Sequence, residues 1–153
     1  MSTTENKCVQ LEALSREHDD GRVFVQRVRD GIDRVSSARL VDYTRWYWKN
    51  HIRPHFYQEE KILLPYFPKD HPLSKRMQDE HAYIRDLIVS LDQEADGPTL
   101  KILCDLLDRH IAFEEDEVFP FLANTLPASS LNQIVDMIKD HPVSPEECSV
   151  KFW

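Results

Sequence analysis

From Leu11 the apolar positions of the chain recur three or four apart, at Leu11, Leu14, Val25, Val28, Ile32 and Val35. The same spacing carried through the gap lands on His18 and Gly21. That period belongs to one face of a helix, so the stretch predicts a helix of about 25 residues with a histidine on its inner stripe. Gly21 weakens a helix by roughly 1 kcal/mol relative to Ala; one use for it is to leave space beside His18, one turn away. Ser36-Ser37 offers an N-cap or a short turn, and a second helix opens at Leu40. Its inner stripe reads Thr44, Trp48, His51, His55, Glu59, Ile62 and Tyr66. Pro54 predicts a kink or a split just before His55, and Pro65 and Pro68 predict the end. Asp70-His71-Pro72 starts a third helix, striped by Leu73, Met77, His81, Ile84, Ile88 and Leu91. Asp96-Gly97-Pro98-Thr99 is a stop and restart. The fourth helix carries Leu100, Leu103, Leu107, His110, Glu114, Val118 and Phe121, with Pro120 bending or ending it near Asn124.

A shorter amphipathic segment follows, with Leu131, Ile134, Val135 and Ile138 on one face and Ser129 or Ser130 as its cap. It is too short to be stable alone and must pack on the other helices. Trp46-Tyr47-Trp48 spreads three aromatics over more than half of a helix circumference, so one buried face cannot hold them all. The fifth segment is the expected cover. The organisation is therefore a flexible N-terminus at 1–10, a helical bundle at 11–126, and a C-terminal helix and tail at 127–153 packed on it.

Composition agrees and narrows the function. Three glycines, 41 % hydrophobic and 30 % charged residues in 153 describe one helix-rich globular domain. A net charge of −8 argues against a nucleic-acid surface, which needs a basic face. No apolar run approaches the roughly 18 residues of a membrane span, and residues 1–10 lack the apolar segment of a signal peptide. Cys8, Cys104 and Cys148 are odd in number and widely spaced, which predicts reduced thiols and a cytoplasmic protein. Cys104, among leucines, reads as a small core residue.

The chemistry lies in a repeat. His55-Phe56-Tyr57-Gln58-Glu59-Glu60 and His110-Ile111-Ala112-Phe113-Glu114-Glu115 share H-x-x-x-E-E, and each continues to a proline and an aromatic residue. A histidine and a glutamate four apart lie one turn from each other on one helix face. With His18 and His81, four helices place six polar groups on stripes that face a core. A buried unpaired carboxylate costs several kcal/mol, and two close together cost more. Two divalent cations would neutralise both carboxylates amid four imidazoles, each metal taking two histidines and sharing both glutamates. Mixed imidazole and carboxylate donors suit iron, manganese or zinc. Glu60 and Glu115 fall off the stripe and read as surface acids. His51, one turn before His55, aligns with Leu106 in the repeat and reads as a neighbour of the site. His71 and His141, before prolines, read as caps. Leu14, Gly21, Ile62, Met77, Ile84 and Leu107, one turn from the polar groups, are the expected lining of a pocket.

With Arg16-Glu17-His18-Asp19, Asp79-Glu80-His81 and Glu114-Glu115-Asp116-Glu117-Val118-Phe119-Pro120, the chain resembles the hemerythrin-like HHE cation-binding domains from about Arg16 through Leu122. The resemblance implies an all-α, up-down-up-down four-helix bundle with a non-haem di-iron centre. Its metal ligands would be His18, His55, Glu59, His81, His110 and Glu114, with both glutamates bridging. Met77 and Arg85 flank His81 where oxygen-carrying hemerythrins have another histidine, so the site lacks their five-histidine asymmetry. The expected function is sensing or handling iron, oxygen, peroxide or nitric oxide at two irons, in a monomer or weak homodimer with a diatomic molecule or peroxide as partner. The competing readings are a di-metal oxidase or peroxidase, for which only tyrosines such as Tyr47, Tyr57, Tyr66 and Tyr83 offer further chemistry, and a structural or storage site for zinc or iron.

Overall fold

The computed structural model describes residues 9–92, 97–141 and 152–153. The expected flexible stretch at 1–10 and the tail after His141 thus fall mostly outside the described residues, as do Cys8, Cys148 and the stop before Gly97. Among the described residues all regular structure is helical. A 3₁₀ turn, Val9–Leu11, leads into α1, Glu12–Gly31. Then come α2 (Ser37–Tyr47), a π-helical turn (Trp48–Ile52), α3 (Arg53–Gln58), a second π turn (Glu59–Leu63) and a 3₁₀ turn (Leu64–Tyr66). After α4 (Pro72–Ser90) and α5 (Gly97–Phe113), a third π turn (Glu114–Val118) joins α6 (Phe119–Thr125), and α7 is Ala128–Asp140.

Local sequence explains most boundaries. Ser36 caps α2, its side chain accepting from the Arg39 N–H, so the helix starts at Ser37, before the expected Leu40. His71 caps α4 through the Leu73 N–H, and Pro72 follows in the first turn, where its missing N–H is harmless. The helical paths end where the prolines predict, at Tyr66 and Thr125, but the turns ahead of the prolines are wider than α-helical. Proline lacks an N–H and its ring crowds the carbonyl four residues back. Ahead of Pro54, Pro65 and Pro120 the chain widens by one residue per turn instead of breaking. Arg53, Leu64 and Phe119 donate to the carbonyls of Trp48, Glu59 and Glu114, five residues earlier. The second helical path therefore continues to Tyr66, and the fourth to Thr125. Two of these π turns begin on the glutamates of the repeated motif; such turns occur often at functional sites.

The core has two apolar halves. One gathers Phe24, Val25, Leu40, Tyr43, Ile88 and Leu103, and the other Leu14, Ile62, Leu63, Met77, Leu122 and Ile134. Along α1, His18 lies between Leu14 of one half and Phe24 of the other. Along α4, His81 lies between Met77 and Ile84; along α5, His110 separates Leu107 from Phe113. The polar groups thus form a layer sandwiched between two hydrophobic ones, which is what four stripes interrupted once each require.

The fifth helix is not where the sequence points. No side chain caps α7, whose N-cap is Pro127 and not Ser129 or Ser130. Leu131, Ile134 and Ile138 join the half containing Leu11, Leu63 and Phe119, at the far end from Trp46-Tyr47-Trp48. Beside the aromatic belt, Phe152 meets the Tyr43 ring edge-on at 5.3 Å and Trp153 lies 5.0 Å from it, and Tyr43 in turn stacks on Trp46 at 6.4 Å. Gly31 makes room for this, since a Cβ there would lie 2.7 Å from Leu40 and 3.0 Å from Phe152. A periodic stripe says that a helix has a buried face; it does not say which surface receives it.

Candidate metal centre

Each helix delivers its polar group by the periodicity already described, and all six converge. His18, His55, Glu59 and Glu114 form one buried group of four, with donor atoms all within 4.8 Å of one another. Glu59, His81, His110 and Glu114 form a second, so the two groups share both glutamates. Glu59 and Glu114 are completely buried, and none of the four histidines exceeds 7 % exposure.

The outer nitrogens of the rings are all engaged by carboxylates. His18 Nδ1 is 3.1 Å from Glu115, His81 Nδ1 is 3.2 Å from Glu60, and His110 Nδ1 is 2.8 Å from Glu80. His55 Nδ1 makes the equivalent contact with Glu17. A carboxylate only accepts, so each Nδ1 carries the proton and donates it. In a neutral ring the lone pair is then on Nε2, and every Nε2 points inward. His18 Nε2 lies 2.8 Å from Glu114 Oε1 and 3.1 Å from His55 Nε2. His81 Nε2 is 3.1 Å from Glu59 Oε1 and 3.3 Å from Glu114 Oε2. His55 Nε2 approaches Glu59, and His110 Nε2 approaches Glu114, each at 3.3 Å.

Lone pairs facing lone pairs repel unless a positive charge stands between them. Without metal only protons can fill that role, and the surrounding carboxylates favour holding them. Burial alone would lower the histidine values, but the inward and outward carboxylates outweigh it. His55 is pushed up to about 10 against Glu59 and Glu17. His81 rises well above its usual range, and His18 and His110 rise too. Burial would push the Glu114 carboxyl up, yet His110, His18 and His81 hold it well below the usual carboxylate range. Even so, both oxygens of Glu59 and Nε2 of His110 remain buried without a hydrogen-bond partner. Orphaned buried polar atoms on ligand-type side chains, aimed into one space, fit cations rather than a hydrogen-bonded polar layer.

The four outer carboxylates are not evident from the stripes. Glu60 and Glu115 read as surface acids in the sequence; in the fold Glu115 is only 15 % exposed, and Glu60, though 44 % exposed, reaches His81. Nothing in the periodicity singles out Glu17 or Glu80. A signal exists nonetheless: Glu-His occurs at both Glu17-His18 and Glu80-His81, and Glu-Glu at both motif ends. In space these pairs cross. The glutamate before one histidine holds the histidine of the next helical path, and the glutamate after each inner carboxylate holds a histidine of the other half.

Of the expected pocket lining, Gly21 and Leu107 border a cavity of about 350 Å³ beside His18, His55 and His110. Leu14, Ile62 and Met77 are buried in the apolar half beneath the layer, and Ile84 in the half above it. His51 also borders the cavity, stacked on Tyr47 with ring centroids 4.8 Å apart. Cys104 is a core residue, fully buried with its thiol pushed up to about 12 by burial.

The family model for the hemerythrin HHE cation-binding domain matches residues 9–122. The chain belongs to the hemerythrin HHE family. All six inward-facing side chains and all four outer carboxylates fall inside the matched span. No curated protein and no solved structure matches the chain. As a member of this family with buried His/Glu groups, the protein has the donor set of a metal-binding domain. No described helix is long and apolar enough to cross a membrane.

Proposed function

We propose that this HHE domain is an up-down-up-down four-helix bundle holding a non-haem pair of iron ions, and that it senses or handles iron, oxygen, peroxide or nitric oxide. The observation that carries the reading is the pair of four-residue groups sharing Glu59 and Glu114, with partnerless Glu59 oxygens at their centre. His18 and His55 would hold one ion, His81 and His110 the other, and the two glutamates both. Iron fits a donor set of imidazoles and carboxylates without thiolate, a set that zinc and manganese also accept. When bound, a redox-active pair supplies electron transfer to small oxidants.

The chain's own contribution is to keep Nε2 of each histidine free for metal, to bury the site between two apolar layers, and to leave it open beside the 350 Å³ cavity. The near-equivalence of the two groups, with two histidines each, departs from an asymmetric oxygen carrier and favours a sensing or handling role. Metal analysis of the protein loaded with Fe²⁺ under anaerobic conditions tests the reading, followed by an absorption spectrum on exposure to oxygen or peroxide. Two irons per chain and a spectral response are expected. Failure to retain iron, or two retained irons with no spectral response to oxygen or peroxide, would overturn it in favour of a structural site.

A further inference from the structure

The pseudo-repeat is close to symmetric in its ligands but not in what surrounds them. Counting outward from the paired histidines, Asp20 corresponds to Tyr83, Gly21 to Ile84, and His51 to Leu106. On the first side a glycine and two polar residues stand where the second side has larger or apolar ones. The consequence is visible in the structure. The cavity beside Gly21 and His51 reaches three cage histidines, His18, His55 and His110. The equivalent groove contains Glu80, Tyr83, Ile84 and Leu106, but no histidine lines it. Ile84, 1 % exposed, stands on the second side where the first has Gly21, whose missing Cβ makes room for Ile111 Cδ1 3.1 Å away.

The two openings also differ in charge. Lys75, Arg76 and Arg109 border the second groove together with Asp79 and Glu80, so it carries both signs of charge. Among the described residues, no lysine or arginine lines the open cavity, and its ionic side chains are the carboxylates of Glu17 and Asp20. Asp20 is exposed and His51 half-buried, whereas the three cage histidines are nearly inaccessible. The polarity therefore runs from an acidic mouth to a floor of nitrogens, one of which, His110 Nε2, has no hydrogen-bond partner. A low-dielectric cleft lined by one sign of charge concentrates ions of the opposite sign and speeds their arrival.

We propose that this one-sided cavity is the route by which divalent metal ions reach the cage, with Asp20 and His51 drawing the cation in from solvent. The proposal rests on the metal-binding reading above and adds its direction of loading. Both groups would fill from the first side, because no histidine lines the second groove, where Lys75, Arg76 and Arg109 offset the carboxylates of Asp79 and Glu80.

Loading kinetics test it without any catalytic assay. Metal-free protein is mixed with Co²⁺ in a stopped-flow instrument, d–d absorption is followed, and final stoichiometry is measured after equilibration. The double substitution Asp20→Asn with His51→Leu removes the outer carboxylate and the imidazole from the mouth without touching a cage residue. We expect it to slow uptake about 10-fold or more and to blunt the salt dependence of the rate, with the same two ions bound at the end. Asp19→Asn is the control, since Asp19 is exposed, pairs with Arg22 and does not line the cavity; it should load at the wild-type rate. Uptake by the double variant at the wild-type rate overturns the route, as does equal slowing by Asp19→Asn. A wild-type protein that binds no Co²⁺ at equilibrium overturns the metal reading itself, so the two failures are told apart by the end point.

Discussion

His110 donates from Nδ1 to the carboxylate of Glu80 at 2.8 Å, and Glu80 sits directly before His81, the other histidine of the same four-residue group. One residue pair thus ties α4 to α5 and fixes which nitrogen of His110 faces inward. Burial would raise the Glu80 carboxyl, but His110 and Arg76 hold it below its usual range, so it stays an acceptor at neutral pH. Such outer carboxylates orient a metal-binding histidine and raise its basicity.

Replacing Glu80 with Gln removes the charge and lets the amide present a donor to Nδ1. Metal affinity should fall about 10- to 100-fold, with far-UV circular dichroism unchanged. Competition against a chromophoric chelator measures this. Unaltered affinity would mean that Glu80 merely decorates the surface.

Glu114 is shared by both groups, so Glu114→Ala should keep the helices and bind at most one metal ion per chain. Equilibrium dialysis with metal analysis decides it. Two ions retained would show that the shared role belongs elsewhere.

The pH dependence has opposite signs in the metal-free and loaded states. In the metal-free protein the four cage histidines have raised values, about 10 for His55. Protonated, they stabilise the fold fully below the unfolded value near 6.5, and that stabilisation is lost as pH rises through the raised values. Metal needs the same nitrogens unprotonated. Melting curves between pH 6.5 and 10 should therefore show the Tm of metal-free protein falling while the gap between loaded and metal-free forms widens. A metal-free Tm that rises across this window would contradict the protonation assigned here.

Ile134 is completely buried where α7 meets the lower apolar half. Ile134→Ala should destabilise the protein by about 2–5 kcal/mol, read from chemical denaturation of the metal-free form. A change below about 0.5 kcal/mol, the size typical of exposed positions, would mean that α7 does not dock there.

The inner cage is legible in the amino-acid sequence. His18, His55, Glu59, His81, His110 and Glu114 stand out because a polar group on an apolar stripe is conspicuous, and a repeat makes it more so. Glu17, Glu60, Glu80 and Glu115 do not stand out, because a partly exposed carboxylate on a helix is common and only the crossing of halves in space gives these four a task. The position of α7 is hidden for a related reason: periodicity marks its apolar face, while Phe152 and Trp153, which have no period, pack on Tyr43 next to the aromatic belt. The prolines tell where the paths end, at Tyr66 and close to Asn124, but not that a wider turn ahead of each relieves the clash of its ring.

That wider turn governs where the chain tolerates change in length. His110, Glu114, Val118 and Leu122 are all buried, at steps of four. In an α-helix each such step drifts by about 40° around the axis, so three in succession would carry Leu122 off the inner face. The π turn from Glu114 to Val118 absorbs the excess and keeps all four in phase. The wide turn thus holds one residue more than a plain α-helix would need over this stretch. Deleting Asp116 or Glu117 would close it to a plain α-helix and keep the inner face in phase to within about 20°, whereas inserting a residue there would swing Val118 and Leu122 about 100° toward solvent, a frameshift in geometry rather than in code.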